Sequence, residues 1–117
     1  MKKILFILTF SISTLIFANQ EPQTYSPKIN QEKTIKNLTA YPNPLTTETN
    51  ISFYIEKSQN VILRIKNLLG KTIFTKEFRA VNGENKFTFY RDNLESGMYI
   101  YSIQTSFEIT SKRLVIK

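Results

Sequence analysis

The residues that could do chemistry in this 117-residue chain are few and poorly matched. It has no His and no Cys. A serine nucleophile needs a base to take its proton, and no imidazole exists to serve. The usual ligand sets for zinc, copper, haem and iron–sulfur clusters are missing for the same reason, and disulfides are excluded. What remains is carboxylates: Glu21, Glu32, Glu48, Glu56, Glu77, Glu84, Asp92, Glu95 and Glu108. Two carboxylates can cleave a glycosidic bond when an apolar surround raises the pKa of one of them. Here most fall at strand ends or turns, among polar neighbours. Asp92, Asn93 and Glu95 form an oxygen-rich group, but calcium wants roughly six to eight oxygens, usually from several carboxylates. One Asp and one Glu in a turn read as a solvated loop. The expectation is no enzyme, no cofactor and no metal.

The cations point to partners rather than reactions. Sixteen Lys and Arg against nine acids give a formal charge of +7. Lys86, Arg91, Lys112, Arg113 and Lys117, with Tyr54, Tyr90 and Tyr101, could form the basic, aromatic face that binds single-stranded nucleic acid. Two features argue against it. The amino terminus reads as an export signal, and Lys on strands is the ordinary guard against edge-to-edge pairing. Neither nucleic acid nor a small-molecule substrate is expected. Long-range attraction to an anionic cell-surface polysaccharide suits this charge better.

The elements that would hold these residues begin with targeting. Lys2 and Lys3 precede an apolar run, Ile4 to Phe17, broken only by Thr9, Ser11, Ser13 and Thr14. Ala18 supplies a small residue for cleavage, and Asn19-Gln20-Glu21-Pro22 is abruptly polar. Residues 1–18 therefore read as a secretory signal peptide cut at Ala18, although Ile16 is larger than the residue usually found three places before the cut. Its removal takes Lys2 and Lys3 and leaves a charge of +5. Residues 19–35 are polar, with only Tyr25, Ile29 and Ile35 as apolar relief, and read as a flexible linker.

From residue 36 the pattern has period two. Tyr41-Pro42-Asn43-Pro44 is a stiff start, because each proline fixes its own φ and keeps the residue before it out of helical geometry; trans is the default for both X–Pro bonds. Leu45 to Asn50 reads as a loop. Ile51, Phe53 and Ile55, then Val61, Leu63 and Ile65, alternate with more polar residues as half-buried strands do. Asn67-Leu68-Leu69-Gly70 reads as a hairpin loop, since Gly70 can take a left-handed conformation. A strand over Lys71 to Phe78 should turn Ile73 and either Phe74 or Phe78 inward. Val81 to Asn85 reads as a turn, followed by Phe87 and Phe89. Leu94 should plug the end of the core. Gly97 opens a strand apolar on both faces, hence an internal one. Leu114 and Ile116 carry the last strand. No stretch after residue 36 has helical periodicity. The expectation is an all-β, Ig-like antiparallel β-sandwich of about seven short strands.

These motifs resemble the type A C-terminal sorting domain of the type IX secretion system, known from Bacteroidota. The resemblance covers about residues 36–117. It rests on Tyr41-Pro42-Asn43-Pro44, the strand Ile51 to Ile55, Asn67-Leu68-Leu69-Gly70-Lys71, Gly83 and Asn85 before Phe87, Gly97-Met98-Tyr99, and Lys112-Arg113-Leu114-Val115-Ile116-Lys117, in the family's order. Two positions depart from it. Lys66 stands where the family more often has an aromatic residue, and the turn at Thr105-Ser106 lacks a Gly.

The resemblance implies an address rather than an activity. The chain would cross the inner membrane and periplasm, be recognised by the outer-membrane type IX translocon, and reach the cell surface or the medium. A sortase commonly removes the domain and joins the cargo to anionic lipopolysaccharide. Tyr41, Pro42, Asn43, Pro44, Gly70, Gly83, Gly97 and Tyr99 would hold the fold, and Lys112 to Lys117 would form the recognition face, by unpaired backbone groups on an edge strand. The segment between Ala18 and the domain is short and linker-like, with no enzyme or adhesin in it. The alternative from a different class is a small cell-surface adhesion module that holds glycan or protein on the same sandwich.

Overall fold

The computed structural model describes residues 33–117. The expected signal peptide, its Ala18 cleavage site and most of the expected linker lie outside them. Seven strands follow in order: β1 (Ile35–Tyr41), β2 (Glu48–Ile55), β3 (Gln59–Asn67), β4 (Thr72–Ala80), β5 (Gly83–Tyr90), β6 (Gly97–Gln104) and β7 (Ile109–Ile116). They form a three-stranded sheet, β1-β2-β5, and a four-stranded sheet, β4-β3-β6-β7, antiparallel throughout. The chain changes sheet after β2, β4 and β5. The described residues form an all-β sandwich of the Ig-like kind.

Side-chain alternation explains the layers. Ile51, Phe53 and Ile55 on β2 and Val61, Leu63 and Ile65 on β3 all point into one core, and each is at most 1% exposed. Tyr99, Tyr101 and Ile103 on β6 and Leu114 and Ile116 on β7 complete it. Period two sends every second residue to the same face, so the apolar series of each strand meets the other sheet. β6 is internal, between β3 and β7, as its two apolar faces require. Leu94 packs against the end of the core.

Several boundaries differ from the sequence reading. β1 starts at Ile35, whose side chain is buried, so the fold begins one residue inside the stretch assigned to the linker. Leu45, expected in a solvated loop, is completely buried, and β2 already includes Glu48 and the buried Thr49. β3 takes in Gln59 and β5 takes in Gly83 to Asn85, all expected in turns. Phe74 and Phe78 both pack on the core, not one or the other, because they are four residues apart on an unshifted stretch and alternation puts them on one face. Ile73 packs there too, as the extra residue of a bulge opposite Ile65 and Lys66. The peptide bonds Tyr41–Pro42 and Asn43–Pro44 are both cis, against the trans default.

Register fixes two ends of the sandwich. Tyr41 is opposite Asn50, Glu48 opposite Tyr90, Asn67 opposite Tyr99 and Gly97 opposite Ile116. The Pro-rich segment, the Asn67–Lys71 loop, the Arg91–Ser96 loop and the carboxyl-terminal end of β7 therefore gather at one end. Ile35, Ile55, Gly83 and Ile109 mark the other.

Candidate recognition site at the carboxyl-terminal strand

The Pro-rich segment is built onto β7. Between its two prolines, the Asn43 side chain lies against the outer edge of that strand. Its amide nitrogen donates to the Arg113 carbonyl, and its amide oxygen accepts from the Val115 N–H, both at 2.9 Å. A primary amide has a donor and an acceptor on adjacent atoms, so Asn43 stands in for one peptide group of a missing neighbour strand. Leu45 continues the mimicry in main chain. Its N–H donates to the Val115 carbonyl at 2.9 Å, and its carbonyl accepts from the Lys117 N–H at 2.8 Å, a single parallel bridge opposite Ile116. The Leu45 side chain fills the core beneath. The buried Thr49 hydroxyl donates to the Pro42 carbonyl at 2.7 Å and holds the segment from β2.

Arg91 secures the same end from the other loop. Its backbone N–H donates to the Thr47 carbonyl, and its guanidinium donates to the main-chain oxygens of Thr46, Lys117 and Leu94. A guanidinium carries five donors in a rigid fork, which suits a ring of carbonyls from three separate segments. Tyr99, on the strand beside β7, donates its hydroxyl to the Glu95 carbonyl at 2.7 Å and pins the Arg91–Ser96 loop to β6. Gly97 pairs with Ile116 at φ +150°, a conformation rarely open to residues with a Cβ.

Tyr41, Pro42, Asn43, Pro44, Gly97, Tyr99 and the end of β7 are thus brought to one place. Gly70 is at the same end. It shapes the β3–β4 hairpin at φ +83°, where Asn67 accepts from the Leu69 and Lys71 N–H groups. Gly83 is at the opposite end. There Asn85 ties the β4–β5 crossing together, accepting from the Val81 N–H and donating to the Val81 and Gly83 carbonyls.

The expected recognition face divides in two. Leu114 and Ile116 are core residues, Val115 is half-buried, and Lys112, Arg113 and Lys117 are exposed. The expected unpaired backbone is absent from its carboxyl-terminal half: the Arg113 carbonyl, both Val115 groups and the Lys117 N–H are already bonded to Asn43 and Leu45. The side chains it leaves exposed are cationic: Lys112, Arg113 and Lys117.

The basic, aromatic set considered for nucleic acid is scattered. Tyr101 is in the core, where burial raises the pKa of its phenol. Arg91 is engaged with carbonyls, and Tyr54 is on the outer face of the other sheet. Among the described residues, no three His, Cys, Asp or Glu side chains are grouped to hold a metal. Sequence reasoning missed Leu45, Thr49, Arg91 and Glu108. Leu45 had a signal, being the one apolar residue between Pro44 and Ile51. Arg91 had none, because its acceptors are main-chain oxygens.

The opposite end has its own clasp. One Glu108 carboxylate oxygen accepts from the Thr34 and Ile35 N–H groups, at 2.7 and 2.8 Å, and from the Thr34 hydroxyl. Thr105 shapes the turn that presents it, its hydroxyl accepting from the Phe107 and Glu108 N–H groups.

Fold and site define a small all-β module whose carboxyl-terminal strand is locked in place by a proline-flanked asparagine near its start. The family model described as the secretion system C-terminal sorting domain matches residues 39–117, and the chain belongs to that family, the sorting domain of type IX secretion. Its role is accordingly in secretion and sorting. No curated protein matches the chain.

Proposed function

We propose that this chain is a non-catalytic sorting module that directs export through the type IX apparatus to the outer-membrane surface or the medium. Residues 1–18 carry it across the inner membrane, and the folded sandwich is then presented from the periplasm to the outer-membrane translocon. A sortase and anionic lipopolysaccharide are the partners that follow in this reading. Lys112, Arg113 and Lys117 are the side chains the translocon meets first.

One observation carries the proposal. The family's most separated motifs, Tyr41 to Pro44 and Lys112 to Lys117, are one structure, joined by the two Asn43 hydrogen bonds. A translocon that reads this end reads a folded domain and not a loose tail. Catalysis has no comparable support, since the family is one of sorting signals.

The test spares the core. Deleting the carboxyl-terminal residues would remove Leu114 and Ile116 from the sandwich and confuse folding with recognition. A fluorescent protein is instead placed ahead of residue 33, behind a signal peptide, in a host that has the type IX system. Lys112, Arg113 and Lys117 are changed together to Glu. Surface delivery should fall several-fold while the melting temperature of the purified domain stays within a few degrees. Full delivery of the folded triple variant would sink the assignment of this face.

A further inference from the structure

The sandwich has four sheet edges, and three are guarded. β1 is broken by a bulge at Asn37, which has φ +55°. β4 has its bulge at Ile73, and Lys76 occupies an inward register position opposite Leu63; an inward-pointing charge is a standard guard. β7 is covered at its carboxyl-terminal half by Asn43 and Leu45. β5 has none of these. It pairs with β2 without a register shift from Gly83 to Tyr90, and among the described residues no hydrogen bond reaches its outer backbone groups from outside its own sheet.

Its outward groups can be assigned. The Arg91 N–H donates to the Thr47 carbonyl, which continues the β2–β5 register by one pair. Alternation then turns the backbone of Phe89, Phe87 and Asn85 toward β2, and that of Tyr90, Thr88, Lys86 and Glu84 toward solvent. Both Glu84 and Lys86 are exposed, on the outer face of the sheet.

We infer that β5 pairs with β5 of a second copy of this chain, antiparallel about a two-fold axis, to give a six-stranded sheet β1-β2-β5-β5-β2-β1. The occupant follows from charge and register. Two-fold pairing through the outward backbone groups allows registers two residues apart. One places Glu84 opposite Lys86 of the second copy, and symmetry repeats that attractive pair. The register on one side of it opposes Glu84 to Glu84, and the one on the other side opposes Lys86 to Lys86. Like charges directly opposite are destabilising, so of these three registers charge favours the one that pairs Glu84 with Lys86 twice. A further slide, to Lys86 opposite Thr88, opposes no like charges but forms no ion pair. A lone lysine there would guard the edge; Glu84, two residues away on the same face, makes it self-complementary instead.

The inner face agrees. In this register Phe87 is opposite Gly83 of the second copy, whose missing side chain leaves room for a ring. Phe74, Phe78 and Phe87 are only half-buried in one copy. Their centroids lie 5.7 Å (Phe74–Phe87) and 6.3 Å (Phe78–Phe87) apart, and Phe78 is also 6.2 Å from Phe53 on β2. The rings of β4 therefore pack over both β5 and β2. Pairing would bring the two half-exposed phenylalanine clusters together, as isologous contacts do.

Sedimentation equilibrium of the full chain over a range of concentrations is the test. The wild-type chain should reach twice the chain mass. Glu84→Lys or Lys86→Glu alone should weaken association by about tenfold or more, because each change turns two attractive pairs into repulsive ones. The double variant Glu84→Lys/Lys86→Glu should restore it. Both positions are exposed, and unchanged thermal melts of the monomer will verify folding. A wild-type chain that stays monomeric overturns the inference and leaves β5 to a strand of another protein or to residues 1–32. A dimer indifferent to both single reversals overturns it equally, as association through the apolar run at residues 4–17 would be.

Discussion

The two long seams of this sandwich are closed in different ways. Where β1 faces β7, polar groups lock the sheets at both ends. Glu108 holds Thr34 and Ile35 at one end, while Asn43 and Leu45 hold Arg113 to Lys117 at the other. Between them, Leu38 and Leu114 are at most 2% exposed. Where β4 faces β5, closure is aromatic. Phe74 meets Phe89 edge-on at 5.3 Å, and Phe78 stacks on Phe87, but three of these four rings keep one side in solvent. Hydrogen bonds to main chain demand one geometry and fix it; ring contacts tolerate many. The seam that holds the family's terminal motifs is thus the more closely specified one, and the other leaves its rings half-exposed.

The sharpest way to break this comparison is to truncate one apolar side chain on each seam. Leu45→Ala leaves a cavity in fully buried surroundings and removes the support under the β7 bridge. It should cost about 2–5 kcal/mol. Phe78→Ala removes a larger side chain from the half-open seam, where solvent and neighbouring rings can fill the space, and should cost less than Leu45→Ala despite its size. Urea unfolding of both variants decides the matter. Equal losses would mean the seams are equally packed.

A finer probe is Asn43→Asp. The carboxylate still accepts from the Val115 N–H but can no longer donate to the Arg113 carbonyl, and it sets charge against that oxygen. The loss should be about 1–2 kcal/mol, the scale of one hydrogen bond plus the group left facing it. Hydrogen exchange supplies the local signature: the Lys117 amide should lose protection while the amides of β5 keep theirs.

The smallest effect concerns pH. Lys36 on β1 bonds to Glu56 beyond the end of β2 at 2.9 Å. That hydrogen bond, and then the Lys36 charge, lower the Glu56 pKa. A carboxyl whose folded pKa is depressed contributes stability above its ordinary value and loses it as pH falls through the folded one. The pair is exposed and salt-screened. Glu56→Gln should therefore flatten the acid limb of the stability curve slightly at low salt, and not measurably at high salt.

How much was legible depended on distance along the chain. Alternation in Ile51 to Ile55, Val61 to Ile65 and Tyr99 to Ile103 marked three core strands, because period two is a local property of the backbone. Leu94 and the two-faced character of β6 were readable for the same reason. The Asn43 contacts join residues 70 and 72 positions apart, and no local pattern signals them. Leu45 was mistaken for loop because its neighbours are polar, and its burial comes from β7. Arg91 was grouped with a basic surface because a guanidinium in sequence looks the same whether it faces solvent or a ring of carbonyls.

By itself, then, the sequence determined the class of fold, most strands and the absence of thiol and imidazole chemistry, since these follow from residue types and from spacing within single strands. Tertiary structure decided which edges are closed. Whether a backbone group at Arg113 or Lys86 is free depends on what another strand places beside it, and that is set only when the two sheets meet.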